Sequence, residues 1–532
     1  MTIDQLALLP AYVAAATAVL VLLIDLFGPP RAVAAGTAVG AALTVVVAAV
    51  TGTGPDRGSF CVGGACSYLA TDRAALAGVL FALLTLAVLA LSAPMLRAGA
   101  VPAGEYCFLL ACSMTGGVVL GAAGDLITLI VALETLTLPL YLLVGLRRSA
   151  SPRAVFTGAG APVYPEPSPE DRTSSDALNA APENGDLPLA AEREVAAEQL
   201  RMQRASADSA VTFFVVSVVA TSVTLLGAAL LHAATGALHL STLPGALDAG
   251  LPLAGVGGAL LVAGLAFKVA AVPFHAWAPA TYDGAPLPVA AYLSTASKLG
   301  GVVALLAVVD GVLPSAETGP VLAVLAVLTM TVGNVVALRQ TRTVRLLAWS
   351  SVAQAGYILA PLGATALGSP EWQPVVAATL AYAAFFVLLE LAAFAAVVAL
   401  RPVAADGGDL DDFRGVARRA PWVGGMLAFA LIGLAGLPPA LAGLFAKVTV
   451  VRALVDGDAS WLALVVALNA VIGLAYYVRV AASLYGTPTR DGSAGTGWSH
   501  VPWPVGAVLV AATVLAVLLG FAPEPLLRLT AL

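Results

Sequence analysis

Lysine is nearly absent from this sequence. Three stand among 532 residues, against twenty-two arginines, and charged side chains of every kind make up 11% of the chain. With 60% hydrophobic residues and a mean hydropathy of +0.95, so little charge excludes a water-soluble globular protein, whose surface would need far more polar cover. The chain belongs in a lipid bilayer. Four cysteines are too few for a disulfide scaffold. No glycine-rich phosphate loop follows a strand and no Cys/His set has metal-ligand spacing, so no metal, cofactor or redox centre is expected in this chain. Cys107 and Cys112 share one apolar helix as buried thiols. The net charge of −6 says little about partners, since many acidic residues lie in one polar stretch, Glu166 to Glu198, and the rest are spread along loops; no nucleic-acid partner is expected. No cleavable leader precedes the first apolar run, so residues 5–28 read as a retained membrane helix.

Apolar runs of about 20 residues predict an all-α integral membrane protein of about 14 transmembrane helices. They begin near residues 5, 32, 72, 104, 125, 209, 251, 287, 319, 343, 373, 421, 459 and 501. A long polar insert, residues 149–207, interrupts them. Its first part, PVYPEPSPEDRTSSDALNAAPENGD, has too little apolar content to fold, and a short surface helix is expected at Leu189 to Arg204. The loops fall into two alternating sets. One holds eighteen arginines, Arg147, Arg342 and Arg401 among them, and the other only Arg57, Arg73, Arg452 and Arg528. The positive-inside rule then puts the insert in the cytoplasm and both termini outside.

Two spans carry internal breakers, Pro273 in the seventh and Gly436, Pro438 and Pro439 in the twelfth. Breakers in hydrocarbon are tolerated only where protein or water satisfies the freed backbone groups. Each would be the fourth helix of a five-helix unit. The expected organisation is helices 1–3 (residues 1–100), a first unit with the insert (104–312), a second unit (319–485) and a last helix (501–523). Five is odd, so the two units would form inverted repeats.

All three lysines, Lys268, Lys298 and Lys447, fall inside predicted spans, while every arginine lies in a loop or near a span end. Arginine stays charged at physiological pH, whereas a desolvated lysine can lose its proton, so lysine suits a site that loads and unloads protons. Lys298 lies eleven residues into a span of about twenty-six, roughly 15 Å from either face, too deep to snorkel. Lys268, five residues before Pro273, is near enough to an end for snorkelling to compete as an explanation. Each mid-span charge costs about 2.5 to 3.5 kcal/mol on insertion scales, so three imply a purpose or a partner. Glu134, in the middle of the fifth span, is the expected partner for at least one. The competing account is a static ion pair that fixes helix packing. Glu390 is central enough to join a hydrophilic axis or to hydrogen-bond a neighbouring helix, and His275, just after Pro273, suits the break more than proton carriage; both are secondary candidates. Gln354 and Asn469 read as helix-packing hydrogen bonds. On the outer side, Cys61-Val62-Gly63-Gly64-Ala65-Cys66 has the two-residue Gly-Gly turn of a hairpin, which sets the cysteines opposite each other and predicts a disulfide.

The segment GLAFKVAAVPFHAWAPATYDGAPLPVAAYLSTASKLGG (264–301) resembles the seventh and eighth helices of the antiporter-like subunits of proton-pumping NADH:quinone oxidoreductase, respiratory complex I, which are related to multisubunit cation/proton antiporters. ALETLTLPLYLLVG (132–145), RLLAWSSVAQAGYIL (345–359) and GLPPALAGLFAKVTVVRALV (436–455) match further family segments, so the resemblance spans helices four to thirteen. Lysine in both the eighth and twelfth helices is similar to the subunit N branch. The resemblance implies a bacterial plasma-membrane subunit among sibling antiporter-like subunits, with NADH, FMN, iron-sulfur clusters and quinone handled by other chains. It implies that Glu134 and Lys268 form a charge pair, that Lys298 is a central relay and that Lys447 is the terminal site. Thr212, Gln354 and Glu390 depart from the residues common in relatives, where lysine, histidine and asparagine are usual. A stand-alone cation/proton antiporter subunit would use the same axis, and a purely structural scaffold would tolerate loss of the lysines.

Overall fold

The computed structural model describes residues 3–147, 189–243, 252–312, 315–364, 372–403, 405–487 and 501–530. The Pro-rich part of the insert lies outside them. In chain order the elements are α1 (Leu9–Phe27), α2 (Pro30–Gly52), β1 (Arg57–Val62), β2 (Ala65–Ala70), α3 (Asp72–Arg97), α4 (Ala103–Gly121), α5 (Leu126–Gly145) and α6 (Leu189–Thr235). Then come α7 (Pro252–Lys268), α8 (Trp277–Gly284) and α9 (Leu287–Tyr292), which runs through a π turn (Leu293–Ser297) into α10 (Lys298–Val312). The second half holds α11 (Ser315–Ala337), α12 (Thr343–Gly363), α13 (Trp372–Leu400), α14 (Val416–Arg419), α15 (Pro421–Ala435), α16 (Leu441–Asp456), α17 (Ser460–Ser483), α18 (Trp503–Phe521) and α19 (Glu524–Thr530).

Among the described residues, 11 helical segments are long and apolar enough to cross a bilayer, α9 and α10 counting as one. The chain is a multi-pass membrane protein. The other three expected spans differ for physical reasons. Two are interrupted, leaving α7 and α15 apolar but only 17 and 15 residues long. The third, α12, has sufficient length but carries Ser350, Ser351, Gln354 and Tyr357, all buried, so its polarity faces protein and not lipid.

Both breaks are satisfied by side chains and close packing. In the gap after α7, the Val272 N–H donates to Thr329 Oγ1 at 2.9 Å, and Trp277 Nε1 donates back to the Phe267 carbonyl at 3.0 Å. After α15 the chain turns at Gly436, whose φ of 83° lies in the left-handed region that glycine enters without strain. Gly443 of α16 packs so tightly on α15 that a Cβ there would lie 1.7 Å from the Gly433 carbonyl oxygen.

α6 differs from expectation. The short surface helix and the sixth span are one rod of 47 residues, about 70 Å at the helical rise, over twice the roughly 30 Å hydrocarbon core. The sequence between them contains no proline and is rich in alanine, so nothing ends the helix at the membrane surface. Its extension grips α8: Ser206 donates to the Gly284 carbonyl at 2.5 Å and Ser209 to that of Ala280 at 3.1 Å. At the same end, Arg342 bridges Asp283 (3.0 Å) and Asp406 (2.8 Å), while Arg401 bridges Asp406 (3.1 Å) and Asp412 (2.9 Å). Burial alone would push the Asp406 carboxyl up, but the hydrogen bond from Arg342 and the charge of Arg401 hold it below its ordinary value.

At the opposite end, β1 and β2 form an antiparallel hairpin in which Cys61 pairs with Cys66. Their sulfurs are bonded. Gly63 and Gly64, at φ 61° and 90°, make the tight turn. The hairpin edge extends onto the segment before α5, with Leu69 N–H donating to Ala122 O and Gly124 N–H to Ser67 O, both at 2.8 Å. Asp125 then caps α5 by accepting from the Thr128 N–H at 2.6 Å. The hairpin thus braces the start of the helix that carries Glu134.

Candidate functional site

Three polar stations lie within the bundle, one at each lysine. At the first, Lys268 ends α7 and reaches toward α5. Its Nζ lies 2.7 Å from Glu134 Oε1, and it donates to Thr137 Oγ1 at 3.0 Å and Ser217 Oγ at 3.1 Å. Thr221 donates to the Glu134 carboxylate at 2.7 Å. Tyr141 hydrogen-bonds Ser217 and lies 3.5 Å from Glu134 Oε2. Lys268 is 5% exposed and Glu134 half-buried, and the hydrogen-bonding capacity left to the pair is met by hydroxyls.

The second station sits where α9 passes into α10. A π turn inserts an extra residue into the helix, and it delivers Ser294 and Lys298 to one polar cluster. Lys298 Nζ donates to both the carbonyl and the hydroxyl of Ser351 on α12, each at 2.6 Å. Ser351 Oγ is 3.4 Å from Ser294 Oγ, and Ser294 donates to Glu390 Oε1 at 2.8 Å. Phe386, one turn before Glu390 on α13, puts its ring centroid 5.8 Å from the ammonium. Both charged groups are fully enclosed, Lys298 at 2% exposure and Glu390 at 0%.

Gln354 lies one turn beyond Ser351 on α12, and its hydrogen bonds run toward the third cluster. It donates to Tyr477 OH at 3.0 Å and to the Leu434 carbonyl at 3.2 Å, and accepts from Tyr382 OH at 2.6 Å. Tyr477 also bonds Ser350. The same Leu434 carbonyl accepts from Lys447 Nζ at 3.2 Å, and the neighbouring Ala435 carbonyl accepts from it as well. Those carbonyls are free for Lys447 because α15 stops there and has no next turn to use them. Gln354, Leu434, Gly433 and Gly443 border a cavity of about 10 Å³, close to the least volume that holds one water.

Residues 197–473 match the profile of a family described as NADH:quinone oxidoreductase/Mrp antiporter, TM. NADH-quinone oxidoreductase subunit N of Salinispora tropica is 59% identical, over 100% of this chain and 99% of that protein. NADH-quinone oxidoreductase subunit N 2 of Streptomyces griseus is 40% identical over 99% of the chain and 93% of its own length. This chain belongs to the NADH-quinone oxidoreductase subunit N family. A chain of respiratory complex I from Thermus thermophilus, solved with bound aureothin, superposes with a TM-score of 0.72 at 27% identity, covering 98% of this chain and 99% of that one. The Mrp complex from a Dietzia species shares the fold, with a TM-score of 0.75 at 20% identity.

In this subunit N relative, the structure brings Glu134 to Lys268 and Glu390 to the cluster at Lys298, while Lys447 stands apart from any carboxylate among the described residues. Gln354 bonds across helices as expected of it but also lies between two stations. His275 lies in the α7–α8 gap with its ring 5.2 Å from Trp349, and among the described residues its Nδ1 has no hydrogen-bond partner; it joins none of the three clusters. Asn469 belongs to a network with Asn334, Tyr357 and Tyr476, which adjoins the third station through the Tyr357 ring, 5.5 Å from the Lys447 ammonium. Sequence reasoning did not single out Ser217, Thr221, Ser294, Ser351, Tyr382 or Tyr477. Cys107 is buried and Cys112 half-buried, both as free thiols. Among the described residues no group of three His, Cys, Asp or Glu side chains could hold a metal ion.

Proposed function

We propose that the chain carries protons across the membrane along this axis, as a subunit of an NADH:quinone oxidoreductase whose NADH, FMN, iron-sulfur and quinone chemistry resides in other chains. One observation carries the reading. A sequence with only three lysines has all three on buried polar clusters, each ammonium hydrogen-bonded to groups that can pass or shape the transfer of a proton. A disturbance of the Glu134–Lys268 pair, sent by quinone reduction in partner subunits, frees the Lys268 proton for Lys298. From there it moves by way of Gln354, Tyr477 and the one-water cavity to Lys447. The two interrupted spans support an arrangement as inverted repeats, residues 104–312 and 319–485, around this axis. The arginine-rich end with the insert then faces the bacterial cytoplasm, and both termini and the disulfide hairpin face outside.

Lys298→Met tests the reading in membranes that oxidise NADH. It removes the central carrier while keeping apolar volume, and assembly survives because a buried charge has been removed. The expected result is fewer protons moved per NADH oxidised. A normal ratio overturns the relay.

A further inference from the structure

The central cluster contains more than a lysine. Glu390 is 0% exposed and, among the described residues, receives one hydrogen bond, from Ser294 to Oε1, and has no partner at Oε2. An ionised carboxylate buried with one oxygen unsolvated is costly, whereas a protonated one supplies its own hydrogen on that oxygen. The carboxyl is joined to Lys298 through two hydroxyls, 2.6 Å from Nζ to Ser351 Oγ, 3.4 Å to Ser294 Oγ and 2.8 Å to Oε1. The Tyr282 hydroxyl lies against both serines and donates to the Leu293 carbonyl at 3.2 Å.

We propose that Lys298 and Glu390 hold one proton in common, exchanged through Ser351 and Ser294. The inference rests on the relay reading above and specifies its central station. In one form the proton is on Lys298 and the pair is an ammonium and a carboxylate. In the other, an N–H bond of Lys298 breaks, Ser351 takes that proton and passes its own to Ser294, and Ser294 passes its own to Glu390. The serines end as hydroxyls again, and the pair is a neutral amine and a neutral acid. Proton number is unchanged between the two forms. The station therefore stores a proton without a net buried charge, which a lone lysine cannot do.

The test uses the assembled complex in membranes and compares Glu390→Gln, Ser294→Ala and Lys298→Met. If Glu390 only ties α13 to the π turn, glutamine keeps the bond from Ser294 and the proton-to-electron ratio stays normal. If it shares the proton, Glu390→Gln lowers the ratio to the level of Lys298→Met. Infrared difference spectra before and after NADH addition then contain a protonated-carboxyl band that Glu390→Gln removes and Ser294→Ala shifts. A low ratio in Lys298→Met with a normal ratio and an unchanged spectrum in Glu390→Gln overturns this inference alone. A normal ratio in Lys298→Met overturns the relay reading as well. Should Glu390→Gln fail to assemble, Ser294→Ala decides: a normal ratio with an unshifted band overturns the shared proton.

Discussion

The first and third stations use the same side chain in opposite settings. Lys268 touches a carboxylate at 2.7 Å and is ringed by hydroxyls. Lys447 meets no carboxylate among the described residues: it donates to backbone carbonyls released by the end of α15 and lies 5.5 Å from the centre of the Tyr357 ring. A counter-charge on a side chain can be moved, screened or neutralised, and the interaction it provides falls with distance and local dielectric. Carbonyl dipoles locked in a helix end offer no such control. In the proposed relay, the Glu134 end is the one that can be switched and the Lys447 end the one whose setting stays constant.

The largest effect on that contrast is expected from Glu134→Gln. It leaves the Lys268 ammonium in a buried site without its counter-charge, a change that costs about 3 to 5 kcal/mol when a buried pair is broken. Pumping should fall as far as in Lys298→Met, and the double variant should be hardly worse, because carriers in series are not additive. Near-normal proton-to-electron ratios in Glu134→Gln would reduce the pair to a static packing device. Lys447→Arg comes next, and it tests the other end. Arginine keeps the positive charge and the donors for Leu434 and Ala435 but does not release a proton at physiological pH. Assembly should persist while pumping falls, as read by proton uptake into vesicles at unchanged NADH oxidation. Pumping retained with arginine would show that the site needs charge and not a titrating group.

A smaller effect is expected at Gly436. An alanine there would occupy the left-handed region, at about 1 to 2 kcal/mol, and its Cβ would lie 2.8 Å from Lys447 Cδ. The lysine can shift by rotamer, so the protein should assemble with lowered thermal stability and slowed pumping. A variant as stable and as active as the parent would mean that the break does not position Lys447.

The lysines were legible because a charge inside an apolar run has few explanations. The hydroxyls around them were not. Serine and threonine occur throughout these helices bonding the carbonyl four residues back, as Thr85 does to Phe81, Thr224 to Ala220 and Thr221 to Ser217. Ser294 and Ser351 look the same in sequence, and only packing shows that they face a lysine and a carboxylate. The Leu434 and Ala435 carbonyls carry no side-chain signal at all. Breaks at Pro273 and Gly436 could be read from residue type, yet which carbonyls they would release depended on geometry. The extension of α6 was missed because a polar run before an apolar one reads as two elements, although nothing between them ends a helix.

The smallest effect on pumping, and the sharpest contrast between the two ends of the bundle, is expected at Cys61 and Cys66. Their hairpin pairs with residues 122–124 and so buttresses Asp125 and the first turn of α5, about two turns from Glu134. A six-residue disulfide loop stabilises by about 2 kcal/mol in the chain-entropy model, and that amount acts on the hairpin, not on the buried pair. Alkylating the denatured, unreduced protein should label Cys107 and Cys112 alone, and labelling of all four thiols would contradict the bond. Replacing both bonded cysteines with serine should speed hydrogen exchange at Leu69 and Gly124, whose amides join the hairpin to the α4–α5 segment. The proton-to-electron ratio should stay normal, since Glu134 and Lys268 are held by α5, α6 and α7 side chains and not by the hairpin. A fall in that ratio would mean that bracing the start of α5 is part of setting the pair, and that the switchable end of the axis depends on the oxidised surface above it.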